Sequence, residues 1–178
     1  MIEIECFEEV INDKTQILIL GTAPSKESLQ KKKYYQSSNN KFWGILSSVL
    51  GIQITKENYK DVLPKTNVGL WDTFRSVKGE DSKDKNREFG SINDFKEFFN
   101  KHPSIKFIIF NGNGKDKNKI KPYNEFIKNY KDFLEDREIL TFILSSTSGS
   151  NANFNFEEKT KLWKDQLTLI SKYVEKFK

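Results

Sequence analysis

A chain of 178 residues, 36% hydrophobic and 31% charged, is sized for a single domain, residues 1–178, with a core of its own. Thirty Lys+Arg against 25 Asp+Glu give a formal charge of +5, spread along the sequence as a solvated lysine-rich surface with a mild leaning toward polyanionic partners. One cysteine, Cys6, and one histidine, His102, exclude an internal disulfide and a cysteine-held zinc or iron–sulfur centre; no apolar run approaches the ~20 residues of a membrane span, and "MIEIECFEEV" lacks the form of a signal peptide, which predicts a cytoplasmic address.

The first clear element is a continuously apolar strand, Gln16 to Leu20, ending in the turn "GTAPS". The segment "KKKYYQSSNN" follows and leads into an amphipathic helix from Lys41 to Leu50. The stretch Asn67 to Leu70 reads either as a fourth strand or as a loop entering a short helix, and the polar tract 78–90 reads as an exposed loop. A helix from Asn93 to Asn100 precedes a second buried strand, Lys106 to Phe110, which ends at Asn111-Gly112. A helix from Pro122 to Leu134 and a third strand of the same buried pattern, Ile139 to Leu144, are followed by "SSTSGSN" and a closing helix from Phe156 to Phe177. Alternating strands and helices predict an α/β fold: a three-layer α/β/α domain around a mostly parallel sheet of four or five strands.

In open α/β sheets, ligands bind beyond the carboxyl ends of the strands, where strand order switches. "GTAPS", Asn111-Gly112 and "SSTSGSN" each follow a strand directly, so one sheet edge should gather them, with the tyrosine- and asparagine-rich segment on the same rim. His102 precedes its strand and belongs to the opposite edge, which argues against a hydrolase triad. Neither "GTAPS" nor "NGNGK" has the spacing of a nucleotide-phosphate loop. The edge is therefore flat, neutral and hydrogen-bonding, flanked by Lys31, Lys32 and Lys33 and by Lys115, Lys117, Lys119 and Lys121, a combination suited to a base flipped out of a nucleic acid.

The residues "GTAPSKESLQKKKYYQSSNNKFWGIL", with "VGLWDTF", "FIIFNG" and "LSSTSGSNANFNFEEKTKLW", resemble the uracil-DNA glycosylase superfamily, most closely its hypoxanthine-DNA glycosylase branch. The resemblance implies that fold and a monofunctional DNA glycosylase that removes a deaminated base, hypoxanthine first and uracil or xanthine next. It implies a monomer acting on duplex DNA, with no cofactor, metal or membrane. Tyr35 then stands where related enzymes stack a ring on the extruded base, an interaction worth roughly 1–3 kcal/mol; otherwise it is a core tyrosine. Asn111 is expected to read the base edge, since a carboxamide both donates and accepts, and Asn40 to serve catalysis, with N-capping of the first helix as its ordinary alternative. Gly21 and Thr22 would line the pocket, and Ser146, Thr147 and Ser148 would donate to the departing base anion where several branches use a histidine. Gly149, Ser150 and Asn151 would meet the minor groove, with Lys31, Lys32, Lys33 and Lys115 on the DNA.

Some positions depart from the family pattern. Ser37-Ser38 replaces a usual His-Pro, the last loop has Ser145 and Gly149 where prolines are usual, and Ser150 offers no bulky wedge. Asp72 resembles a retained acid that braces the pocket or caps a helix. Two other readings compete: a non-catalytic binder of damaged or modified DNA, and an α/β small-nucleotide-binding protein.

Overall fold

The computed structural model describes residues 3–78, 88–113 and 121–176. Residues 79–87 of the polar tract, Lys115, Lys117, Lys119 and Phe177, the last residue of the expected closing helix, lie outside these. The chain orders its elements as β1 (Glu3–Glu5), β2 (Ile17–Gly21), α1 (Lys26–Lys31), α2 (Phe42–Leu50), α3 (Tyr59–Val62), β3 (Val68–Asp72), β4 (Ser76–Lys78), β5 (Glu88–Phe89), α4 (Phe95–Lys101), β6 (Phe107–Asn111), α5 (Pro122–Asp136), β7 (Leu140–Leu144) and α6 (Phe156–Lys176).

Four strands pair in parallel in the order β3-β2-β6-β7. The side chains of β2 show why this sheet is central. Ile17 and Ile19 pack on one face with Phe42, Ile45 and Leu46 of α2 and Trp163, Leu167 and Ile170 of α6. Leu18 and Leu20 pack on the other with Phe95, Phe98 and Phe99 of α4 and Phe126, Tyr130 and Leu134 of α5. A strand covered on both sides must be apolar at every position, and β2 is buried throughout. This is the three-layer α/β/α architecture that the alternation of elements predicts, and among the described residues no helix is long and apolar enough to cross a membrane.

The structure decides between the two readings of one segment and departs from the sequence reading elsewhere. The fourth strand is β3, reaching Asp72, so the "LWD" segment is strand and not helix entry. The last strand is not buried on both faces: β7 is an edge strand with Leu140 and Ile143 each 45% exposed. A small antiparallel sheet, β1-β4-β5, was not expected, because strands of two or three residues are too short to show a period. The helix after β5 starts at Phe95, where the Asp94 side chain accepts the Glu97 N–H at 3.0 Å as an N-cap.

Three buried tyrosines of the core, Tyr34, Tyr59 and Tyr130, have their phenol pKa raised, in each case chiefly by burial. Above about pH 10 the unfolded chain releases protons from these phenols that the folded chain retains, so the unfolded state binds fewer protons and stability falls as pH rises. Melting temperature is expected to stay level through neutral pH and to drop as pH passes about 10, with Tyr34→Phe flattening that drop; a thermal-melt series from pH 7 to 11 checks it.

Candidate active site

Strand order reverses beside β2: the chain goes from β2 outward to β3, then returns to lay β6 on the other side. The carboxyl ends of β2 and β6 therefore flank the switch point, and Gly21 and Asn111 are the last residues of those two strands. The loop after β7 closes over this edge. Gly112 allows the closure: its φ is +85°, and a Cβ there would lie 2.7 Å from the Ser146 Cβ.

Asn111 makes the central contacts. Its Nδ2 donates to the Tyr35 hydroxyl at 3.1 Å and to Thr147 Oγ1 at 2.9 Å, and its Oδ1 accepts the Thr147 backbone N–H at 2.9 Å. Since a backbone N–H can only donate, that last bond fixes which end of the amide is oxygen. The Thr147 hydroxyl donates to Asn40 Oδ1 at 2.9 Å, and Asn40 Oδ1 also accepts the Phe42 N–H at 3.0 Å. Tyr35, Asn111, Thr147 and Asn40, drawn from three separate parts of the sequence, thus form one hydrogen-bonded chain.

Each end of this chain has a distinct local cause. Tyr35 holds a left-handed φ of +50°, uncommon for a residue with a bulky side chain. Its ring stacks on Phe42 at 3.8 Å between centroids and meets Trp43 edge-on. Burial, the Asp72 carboxylate and a weaker opposing effect of the Asn111 donor leave its hydroxyl pKa well above the ordinary tyrosine value, so it is a neutral phenol at physiological pH. Asn40 precedes α2, whose N-cap position is Lys41 without a side-chain cap bond; the Asn40 carbonyl instead takes the N–H of the first helical residue. Asn40 thus supports the helix start from the position before the N-cap, and the same side-chain oxygen joins it to Thr147. Its Nδ2 has no hydrogen-bond partner among the described residues.

The remaining expected residues divide into those the fold gathers and those it does not. Thr22 and Ser146 line a cavity of about 680 Å³ beside Asn111, together with Ser150 and Asn151. Ser148 lies in the same loop, its N–H on Ser146 Oγ and its hydroxyl against that of Ser150 at 2.9 Å. Asn151 folds the loop on itself by donating to Ser145 Oγ and to the Ser146 carbonyl, both at 3.0 Å. Gly149 is exposed at the crest, against the backbone of Asn39. Thr147 is fully buried, and Tyr35 and Asn40 form no part of the cavity wall. Lys31 is exposed in the last turn of α1, with Lys33 half-buried two residues on. Lys32 borders a separate cavity with Phe7, Tyr34, Tyr59 and Lys60, away from Asn111.

Two residues beside the site, Lys159 and Phe154, were not singled out from sequence. Lys159, 4% exposed, sends its ammonium to the Asn151 carbonyl at 2.7 Å and the Ser148 carbonyl at 3.3 Å, under the loop. A lysine in register with Trp163 and Leu167 on the buried stripe of α6 was the available signal. Phe154, 41% exposed, borders the 680 Å³ cavity as an exposed aromatic side chain. Asp72 is 2% exposed, its backbone carbonyl accepts from Asn93 Nδ2 at 2.8 Å, and its carboxylate faces Gly21 and Tyr35. This places it as a brace at the floor of the edge and not as a helix cap.

At Gly21 a Cβ would lie 2.6 Å from Asp72 Oδ1 and 3.0 Å from the Tyr35 hydroxyl oxygen. Gly21→Ala is expected to push these groups apart and to cost about 1–3 kcal/mol of stability, read as a lower urea midpoint at unchanged slope.

Residues 8–167 match the family model for the uracil DNA glycosylase superfamily. A protein of Methanosarcina barkeri (strain Fusaro / DSM 804), named hypoxanthine DNA glycosylase, is 34% identical over 148 residues, covering 82% of this chain and 86% of its own. A protein of the same name from Methanosarcina acetivorans is 31% identical over 152 residues, covering 84% and 89%. A solution NMR structure of a candidate uracil DNA glycosylase from Methanosarcina acetivorans superposes with a TM-score of 0.68 at 28% identity, covering 92% of this chain and 98% of that one. With a family match over most of its length and relatives above 30% identity across most of both partners, the chain belongs to the uracil DNA glycosylase superfamily.

Proposed function

We propose that this protein is a monofunctional DNA glycosylase, acting as a monomer on duplex DNA, that hydrolyses the N-glycosidic bond of a flipped-out deaminated base, hypoxanthine first and uracil or xanthine next. The observation that carries this reading is the Tyr35–Asn111–Thr147–Asn40 chain at the switch point of the sheet. It brings an aromatic ring, an amide able to read a lactam edge and a second amide to one place. The two relatives named hypoxanthine DNA glycosylase support the choice of first substrate.

In this reading the C1′–N bond breaks with its electron pair going to the base, and the sugar becomes cationic. Water adds through oxygen to C1′ and loses a proton to solvent, while the base leaves as an anion that is then protonated. Asn40 acts through nitrogen: its oxygen already accepts two donors, so its outward N–H groups hold the attacking water by its oxygen. Two donors on the carbonyl also polarise the amide and strengthen those N–H groups. Asn111 releases only the Tyr35 hydroxyl and turns that N–H, with the second lone pair of its oxygen, to the edge of the extruded base, keeping both bonds to Thr147 and the lactam N–H and C=O paired inside the pocket. The departing anion is met by the hydroxyls and backbone N–H groups of the loop after β7, braced from below by Lys159.

The test is incubation with duplex oligonucleotides carrying a single hypoxanthine, uracil or xanthine, followed by alkali to cleave abasic sites. Strand breaks at the modified position, fastest for hypoxanthine, are expected. Tight binding without breaks would replace this reading by the non-catalytic binder, and binding indifferent to duplex length and salt would point to a small-nucleotide site. Asn40→Ala is expected to slow single-turnover excision on the order of 10²–10³-fold, the scale of losing one preorganised polar group; an unimpaired variant would remove Asn40 from the chemistry.

A further inference from the structure

Among the described residues, Thr147 is the one hydrogen-bonded to both amides of the site. It is fully buried, and each of its polar atoms is committed: the N–H to Asn111 Oδ1, the hydroxyl between Asn111 Nδ2 and Asn40 Oδ1, and the carbonyl to the Lys41 N–H at 3.0 Å. A side chain so enclosed does not reach substrate in this arrangement. A hydroxyl carries a single proton, and the surrounding bonds decide where it goes. Asn111 presents nitrogen to Thr147 Oγ1 because its oxygen is held by the Thr147 N–H, so the hydroxyl must accept from Asn111 and donate to Asn40. If the Asn111 amide were reversed, its oxygen would compete for the same proton and Asn40 would lose a donor. The β-branched side chain keeps Oγ1 in place, since threonine is stiff at χ1.

We infer that Thr147 is a positioning residue that fixes the Asn40 amide with its nitrogen outward and ties that setting to the orientation of the Asn111 amide. This rests on the proposed roles of Asn40 and Asn111 and goes beyond them: it assigns Thr147 to coupling the base-reading and hydrolytic groups instead of to donation toward the leaving base. Removing the hydroxyl leaves Asn40 with the Phe42 N–H alone and frees the amide to turn.

The experiment is a double-mutant cycle in single-turnover excision from a hypoxanthine-containing duplex, with Kd for a duplex bearing a non-cleavable abasic analogue measured alongside. Thr147→Val is expected to slow excision roughly 10–100-fold, as for losing a hydrogen bond that orients a reacting group, with Kd unchanged. Thr147→Ser, which keeps the hydroxyl, should restore the rate to within about threefold of the parent. In the Asn40→Ala background Thr147→Val should slow excision no further, because the group it acts through is gone. Thr147→Ala, which cannot clash, takes the place of the valine variant if thermal melts show that valine prevents folding. Multiplying losses, a serine variant as slow as valine, or a valine variant at full rate would each overturn the inference. Full activity of Asn40→Ala would instead defeat the Asn40 assignment and the inference with it, and absence of excision by the parent protein would defeat the glycosylase reading itself.

Discussion

The site depends on the double contact between the Asn111 side chain and Thr147, one bond to the backbone N–H and one to the hydroxyl, both at 2.9 Å. These two bonds close the loop after β7 over the end of β6, and the bond from the Lys41 N–H to the Thr147 carbonyl draws the start of α2 into the same knot. The groups involved are wholly or partly withdrawn from water, where an unpaired donor or acceptor costs about 1–3 kcal/mol. Loss of one bond therefore leaves others exposed to the same penalty, and the network stands or falls as a unit.

The fold holds this knot still from two directions. Below it lies a parallel sheet packed on both faces, with apolar side chains of β2 and β6 divided between the α2/α6 layer and the α4/α5 layer. Behind it lies α6, whose Trp163 donates its indole N–H to the Ser145 carbonyl at 2.9 Å and whose Lys159 holds two further loop carbonyls. A loop of serine, threonine and glycine has little intrinsic stiffness. Its order comes from these anchors and from the bonds among Ser145, Ser146, Ser148 and Asn151. Dipoles fixed in this way need no reorganisation, which is what the proposed use of hydroxyls and amides in place of a histidine requires.

Two residues join backbone geometry to the site. Asn40 uses one oxygen to receive the first N–H of α2 and the Thr147 hydroxyl, so the helix start and the amide orientation are set together. Tyr35 adopts a left-handed backbone conformation, and the stacking on Phe42, the Asn111 bond and the enclosure of its hydroxyl accompany that conformation. Sparsely populated backbone conformations of this kind persist where surrounding contacts over-determine them.

Much of the fold was legible in the sequence because its signals are local. Continuous apolar runs ending in Gly, Asn or Ser marked β2, β6 and β7, and the rule that such strands lie parallel brought Gly21, Asn111 and the 145–151 loop to one edge. The open outer side of β7 was not legible, since a strand's place in the sheet depends on which neighbours the chain supplies and not on its own composition. Nor were β1, β4 and β5, too short for a period, or Lys159, a charge placed on a buried helix stripe by its partners' carbonyls. The sequence alone determined which side chains this protein could bring to its site, because strand periodicity and the chain order of loops are set residue by residue. Only the tertiary structure decided that Thr147 lies between Asn111 and Asn40, because a hydrogen bond across 107 positions of chain exists only when packed layers bring its ends within 2.9 Å.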